Sequence, residues 1–112
     1  MEVNVSTMQG ITVISLTGEL SAKTAPAAQQ SILAQAQPQG KMILDMTAVP
    51  YMSSAGLRVL LVVYRTVSGK GGRAVLVGLS EDLKNTMSVT GFLDFFAHND
   101  SLEAGIAQLL NA

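Results

Sequence analysis

The residues best placed to do chemistry sit together in the middle of the chain: an aspartate, two adjacent serines and an arginine. Asp45 closes the apolar run Met42-Ile43-Leu44. A turn-prone link with Thr47 and Pro50 follows, then Ser53-Ser54-Ala55-Gly56, then an apolar stretch reaching Tyr64. This order reads as a buried strand, a short link and a helix. A serine at such a junction lies beside first-turn N–H groups that lack intrahelical partners. Those groups, and the positive end of the helix dipole, favour an anion. A phosphate added to Ser54 would therefore suit the fold and be displayed at the surface. Ser54 also has a plainer reading as a helix cap, because serine is a preferred N-cap residue. Ser53 is the alternative for either role. Arg58 follows Ser54 by four residues and so shares a helix face with it. Its guanidinium could pair with a phosphate or with an acidic partner surface, or simply be solvated. Arg65 lies a further heptad along. Asp45 either organises the site or accepts hydrogen bonds from the turn that follows it.

Other chemistries find little support. Tyr51-Met52-Ser53-Ser54-Ala55-Gly56 is not the G-x-S-x-G elbow of a hydrolase, and His98 is the only histidine for a triad. An enzyme is therefore not expected. Gly69-Lys70-Gly71-Gly72-Arg73 departs from the phosphate-loop pattern and precedes a strand instead of a helix. With no cysteine there is no thiol chemistry, disulfide or thiolate metal site. No cofactor and no metal are expected.

The charge of −1 carries no basic excess of the kind that nucleic acid or an anionic membrane would attract. Two tyrosines, three phenylalanines and no tryptophan are too few for a base-stacking platform. The start, Met1-Glu2-Val3-Asn4, lacks the regions of a signal peptide. The longest uninterrupted apolar run, Val59 to Tyr64, is far short of a membrane span. The expectation is a cytoplasmic domain that neither inserts in a membrane nor binds nucleic acid. At 112 residues and 48% apolar composition, one domain over 1–112 can build a core without staples.

The elements that must position these residues can be read in order. Glu2 to Met8 alternates, with Val3 and Val5 on one side, and predicts a half-buried strand. Gln9-Gly10 is a turn, and alternation resumes from Ile11 to Leu16, giving an N-terminal β-hairpin. Gly18 to Thr24 is a loop. Thr24 caps a helix with Pro26 in its first turn, running to about Gln37 before Pro38 and Gly40. Lys41 to Met46 is apolar on both faces, which predicts a central strand. A helix from about Ser54 to Ser68 turns Leu57, Leu60, Leu61 and Tyr64 inward, broadened by Val59, Val63 and Val67. Ala74 to Val77 is a buried strand. Ser80 caps a helix to about Val89 with Glu81 and Asp82 in its acidic first turn. Leu93 to Ala97 reads as a short strand, and Ser101 to Leu110 as a last helix with Leu102, Ile106 and Leu109 inward. Met42, Met46, Met52 and Met87 read as packing. The fold class is α/β, with a mixed, mostly parallel sheet flanked by helices.

Two motifs carry a family resemblance. Asp45, a linker, Tyr51-Met52, Ser53-Ser54-Ala55-Gly56-Leu57 and Val59-Leu60-Leu61 resemble the core motif of STAS domains. The similarity is greatest to bacterial anti-sigma-factor antagonists, whose motif is an aspartate followed after a few residues by Phe/Tyr-Met/Ile-Asp-Ser-Ser/Thr-Gly-Leu. Upstream, Gly18-Glu19-Leu20-Ser21-Ala22-Lys23-Thr24-Ala25-Pro26 is similar to the family's G-E-L-D-x-x-T-A-P. The resemblance implies a phosphorylation switch. Unphosphorylated at Ser54, the domain would bind an anti-sigma factor that is often also its serine kinase; phosphorylated, it would release it. A serine phosphatase would reverse the modification. The implied partner-binding residues are Ser21, Thr24, Asp45, Ser53, Gly56 and Arg58. This chain departs from the pattern at Ser21 and Ser53, where the family often has aspartate, and at Ala55, where it has a second Ser or Thr. Glu19 is a nearby carboxylate that could stand in for the one missing at Ser21. Those departures give weight to an alternative, a non-switching STAS subunit of a transporter or signalling complex.

Overall fold

The computed structural model describes residues 1–111. Two strands, β1 (Glu2–Met8) and β2 (Ile11–Thr17), form the hairpin. Gln9 and Gly10 both take positive φ, 53° and 80°, which matches a two-residue turn to the twist of its strands. The chain continues through α1 (Ala25–Leu33), β3 (Lys41–Ala48), α2 (Ser54–Gly69), β4 (Arg73–Val77), α3 (Glu81–Val89), β5 (Ala97–Asn99) and α4 (Leu102–Leu110). The sheet order is β1-β2-β3-β4-β5; β1 is antiparallel to β2 and the rest are parallel.

The central position of β3 follows from its composition. Met42, Leu44 and Met46 enter the larger core beneath α1, α2 and α3, while Ile43 enters a smaller one under α4. All four are at most 2% exposed. On the α4 side, Ile11, Val13, Val75 and Val77 meet Leu109, with Leu102 and Ile106 packed against them. Gly105 lets α4 approach closely, because a Cβ there would lie 2.6 Å from Val77 Cγ1. Ser80 caps α3 by accepting from Leu83 N at 3.1 Å, and Ser101 caps α4 by accepting from Ala104 N at 3.1 Å. Lys84 Nζ lies 2.9 Å from Asp100 Oδ1, tying α3 to the loop before α4. That hydrogen bond holds the Lys84 ammonium above its ordinary range and the Asp100 carboxyl below its own.

Four expectations are corrected. Helix α1 stops at Leu33, well before Gln37. Gln35 N and Ala36 N turn to carbonyls three residues back, Lys70 Nζ takes Ala36 O at 3.2 Å, and Gln39 N donates to Lys70 O at 2.8 Å. Contacts from the end of α2 thus replace a further helical turn. Leu93 to Ala97 is not a strand: Leu93–Phe95 is one 3-10 turn, and pairing begins at Ala97, opposite Val75. Buried Phe96 meets Tyr64 edge to face, with ring centroids 5.6 Å apart. The core face of α2 is rotated from the expected one. Gly56, Leu57, Val59, Leu60, Val63 and Val67 are buried, while Leu61 and Tyr64 lie half-buried on its flank. Finally, β1 is far more open than a half-buried strand, because only Val3 is shielded and Val5 is 46% exposed.

Leu60 is fully buried in the larger core. Replacing Leu60 with Ala should cost about 2–5 kcal/mol through lost burial and a residual cavity. Denaturant unfolding should report this as a lower midpoint with an unchanged slope.

Candidate functional site

Parallel strands deliver their connecting loops to one end of the sheet, and partners of such sheets collect there. Residues 18–24 leave β2 and residues 49–53 leave β3 at this end. Backbone bonds clip the two loops together. Gly18 N donates to Ala48 O at 3.0 Å, Leu20 N to Tyr51 O at 3.0 Å, and Ser53 N to Leu20 O at 2.9 Å. Leu20 and Met52 form an isolated parallel bridge, and both side chains are buried. The serine pair is therefore held in place by the upstream motif through backbone contacts.

Gly56 makes this approach sterically feasible. A Cβ there would lie 2.5 Å from Leu20 O, 2.7 Å from Met52 Cγ and 2.9 Å from Leu20 Cγ. Its expected place among the partner-contacting residues is thus a packing role, since the residue is buried against the loop.

The two serines are sharply distinguished. Ser53 is the N-cap of α2, with φ −85° and ψ 178°, and Ser54 is the first helical residue. The cap reading fails for both serines: Ser54 lies one position inside the helix, and the residue at the N-cap position, Ser53, makes no side-chain bond to it. Ser53 Oγ does not cap: it is buried and has no hydrogen-bond partner among the described residues. Ser54 is exposed. A modifying enzyme needs an accessible hydroxyl, which favours Ser54 over Ser53.

The remaining candidates divide. Thr24 is the N-cap of α1, yet its hydroxyl fixes the loop instead of the helix. It accepts from Ser21 N at 2.9 Å and donates to Glu19 O at 2.8 Å. Ser21, half-buried, accepts from Ala25 N at 2.7 Å through its carbonyl. Asp45 turns back on its own chain. Its Oδ1 accepts from Thr47 N at 3.0 Å and from Thr47 Oγ1 at 2.6 Å, the turn-stabilising role. Arg58 is exposed and forms no ion pair among the described residues. It borders a groove of about 320 Å³ between the starts of α1 and α2, whose lining includes Ala22, Pro26, Gln29 and Ala55. Sequence reasoning passed over this groove and also Tyr51, which is 52% exposed beside buried Met52. Nothing in the local sequence separates the exposed Tyr51 from the buried Met52; the bridge from Leu20 to Met52 decides which of the two faces inward. His98 stands exposed on β5, at the sheet edge two strands from β3.

No described helix is long and apolar enough to cross a membrane.

Ser80→Ala should cost about 0.5–2 kcal/mol through loss of its cap, whereas Ser53→Ala should fall within about 0.5 kcal/mol of the parent, since no cap is lost. Gly56→Ala should destabilise by about 1–3 kcal/mol through overpacking. Thermal or denaturant unfolding of the three variants separates the roles.

Comparison with known proteins follows the same architecture. The STAS domain family model matches residues 2–105. A candidate anti-sigma factor antagonist, BtrV, of Bordetella bronchiseptica is 28% identical over 113 aligned residues, covering 100% of this chain and 97% of its own. The anti-sigma-B factor antagonist of Listeria monocytogenes is 32% identical over 82 residues, 72% of each chain. Among solved structures, an anti-sigma factor antagonist from Mycobacterium paratuberculosis superposes with a TM-score of 0.84 at 25% identity, covering 97% of this chain and 93% of its own. Two more share the fold. The Bacillus cell fate determinant SpoIIAA in its phosphorylated form has a TM-score of 0.70 at 18% identity, over 96% of this chain and 98% of its own. The murine Slc26a9 anion transporter has a TM-score of 0.84 at 16% identity, over 96% of this chain but 19% of the transporter.

Proposed function

This chain belongs to the STAS domain family, and from that premise we propose that it is an anti-sigma factor antagonist controlled by phosphorylation of Ser54. The observation that carries the reading is the contrast within the serine pair: an exposed Ser54 at the first position of α2 beside a buried Ser53 hydroxyl. The anti-sigma factor binds over the start of α2 and the neighbouring groove, with Arg58 offering a cation to an acidic partner side chain and Tyr51 an apolar contact. Relatives named anti-sigma factor antagonists support the partner class.

The switch follows from electrostatics. A phosphate at Ser54 adds about −1.5 to −2 charges. The first-turn N–H groups and the helix dipole favour that charge, so the fold persists. The partner face changes sign where Arg58 had made it basic, and docking fails through repulsion and desolvation. The anti-sigma factor acts as the serine kinase, using ATP and magnesium, and a serine phosphatase restores the binding form. Both activities belong to the partners, so the domain itself is a substrate and not an enzyme.

A second reading, a non-switching subunit of a transporter or signalling complex, is favoured by the missing carboxylates at Ser21 and Ser53. The two readings separate by phosphosite mapping on protein taken from its native cells, with co-purifying proteins identified in the same sample. The switch predicts phosphate on Ser54 alongside a kinase or phosphatase. Unmodified Ser54 alongside transporter subunits would establish the other reading.

With the purified anti-sigma factor, phosphorylation of Ser54 should weaken binding by about 100-fold or more, the scale of an unfavourable charge at an interface. Ser54→Ala should bind at parental strength and resist release by kinase and ATP. Arg58→Ala should weaken binding of the unphosphorylated form by about 3- to 30-fold and flatten its salt dependence. Equal affinity of the two phosphorylation states, measured by calorimetry, would overturn the switch.

A further inference from the structure

We propose that β1 is a self-association edge, along which two copies of this chain pair their β1 strands antiparallel about a two-fold axis and continue one sheet into the other. This inference is independent of the role of Ser54. It begins with the contrast between the two edges of the sheet. At one end β5 has only three residues, Ala97–Asn99. At the other end β1 has seven, paired to β2 without a break in register from Glu2↔Thr17 to Met8↔Ile11. Exposed edges are ordinarily blunted by proline, lysine, a bulge or a covering element. Strand β1 has no proline or lysine, and its one charge, Glu2, sits at its first position.

The residue order of β1 is self-complementary. Antiparallel pairing centred on Val5 sets Glu2 against the second copy's Met8, Val3 against its Thr7, Asn4 against its Ser6 and Val5 against Val5. Val3, Val5 and Thr7 then form one face of β-branched cross-strand pairs, the type that stabilises sheets. Asn4 and Ser6 pair polar groups on the other face. The two Glu2 carboxylates are kept apart by the length of the strand, so no like charges meet.

Exposure on the Val5 side fits the same occupant. Val5 is 46% exposed, and its register partner in β2 is Ile14, a residue of the core beneath α1. Beside it, a groove of about 440 Å³ opens between β1 and α1, lined by Met1 and Val3 on one wall and Ala27, Ala28 and Ser31 on the other. The centred register brings the second copy's Thr7 beside Val3, at the margin of this groove. A single pair of seven-residue strands is a small contact beside the roughly 1,200–2,000 Å² of stable specific interfaces. The dimer is therefore weak and concentration-dependent.

Sedimentation equilibrium on the full chain, from about 10 μM to about 1 mM to span weak association, provides the test. The expected result is a reversible monomer–dimer equilibrium. Val5→Lys and Val5→Glu should each weaken it by at least about tenfold, because like charges would then meet directly across the axis. An equimolar mixture of the two variants should recover the dimer through Lys–Glu pairing, a result that misfolding of either variant would not give. A chain that stays monomeric to the highest concentration would overturn the proposal. So would a dimer that both variants leave intact, or protection of β1 amides only when a partner protein supplies the strand.

Discussion

The structure depends on a steric constraint at the start of α2: there is no room for a side chain at residue 56. The carbonyl of Leu20 and the side chain of Met52 occupy the space that a Cβ would take. That proximity allows Leu20 to bridge Tyr51 and Ser53 in parallel, using one N–H and one carbonyl. Two loops from adjacent strands become one rigid platform, and the helix that carries Ser54 is anchored to it. Backbone polar groups that would otherwise be buried without partners are satisfied by the same contact.

Electrostatic character follows from how the helix caps are used. The hydroxyls of Ser80 and Ser101 each accept a backbone N–H of their own helix. The two N-caps nearest the serine pair behave otherwise. Thr24 directs its hydroxyl into the 19–24 loop, and Ser53 leaves its own buried without a partner. The first turn of α2 thus has no side-chain cap, and its positive end is not offset by an acidic residue in that turn. By contrast α3 begins with Glu81 and Asp82. Among helix starts at this end of the sheet, α3 and α4 carry acidic residues in their first turns, whereas α1 and α2 carry none and stay receptive to an added negative charge.

The two edges of the sheet show how the same fold distributes exposure. Helices cover one face from β2 to β4, and α4 covers the other face near β3, β4 and β5. Strand β1 lies outside most of that cover, which leaves its polar residues and Val5 in solvent. The serine pair and the β1 edge belong to different elements, so events at one need not disturb the other.

Much of this was legible in the residues themselves. Alternation about Gln9-Gly10 gave the hairpin, because side-chain period and turn chemistry are local properties. A doubly apolar Lys41 to Met46 placed β3 at the centre, because only a strand covered on both faces can bury such a run. Strand-helix alternation gave the parallel sheet, and the Ser-Ser-Ala-Gly stretch marked the start of α2. Other features were decided by residues far away in sequence. Lys70 ends α1 early, β4 fixes where β5 begins, and the absence of cover over β1 exposes Val5. The distinction between Ser53 and Ser54 is of this second kind. Adjacent serines are chemically identical in the chain, and only the packing of the Leu20 loop against α2 buries one hydroxyl and leaves the other residue exposed.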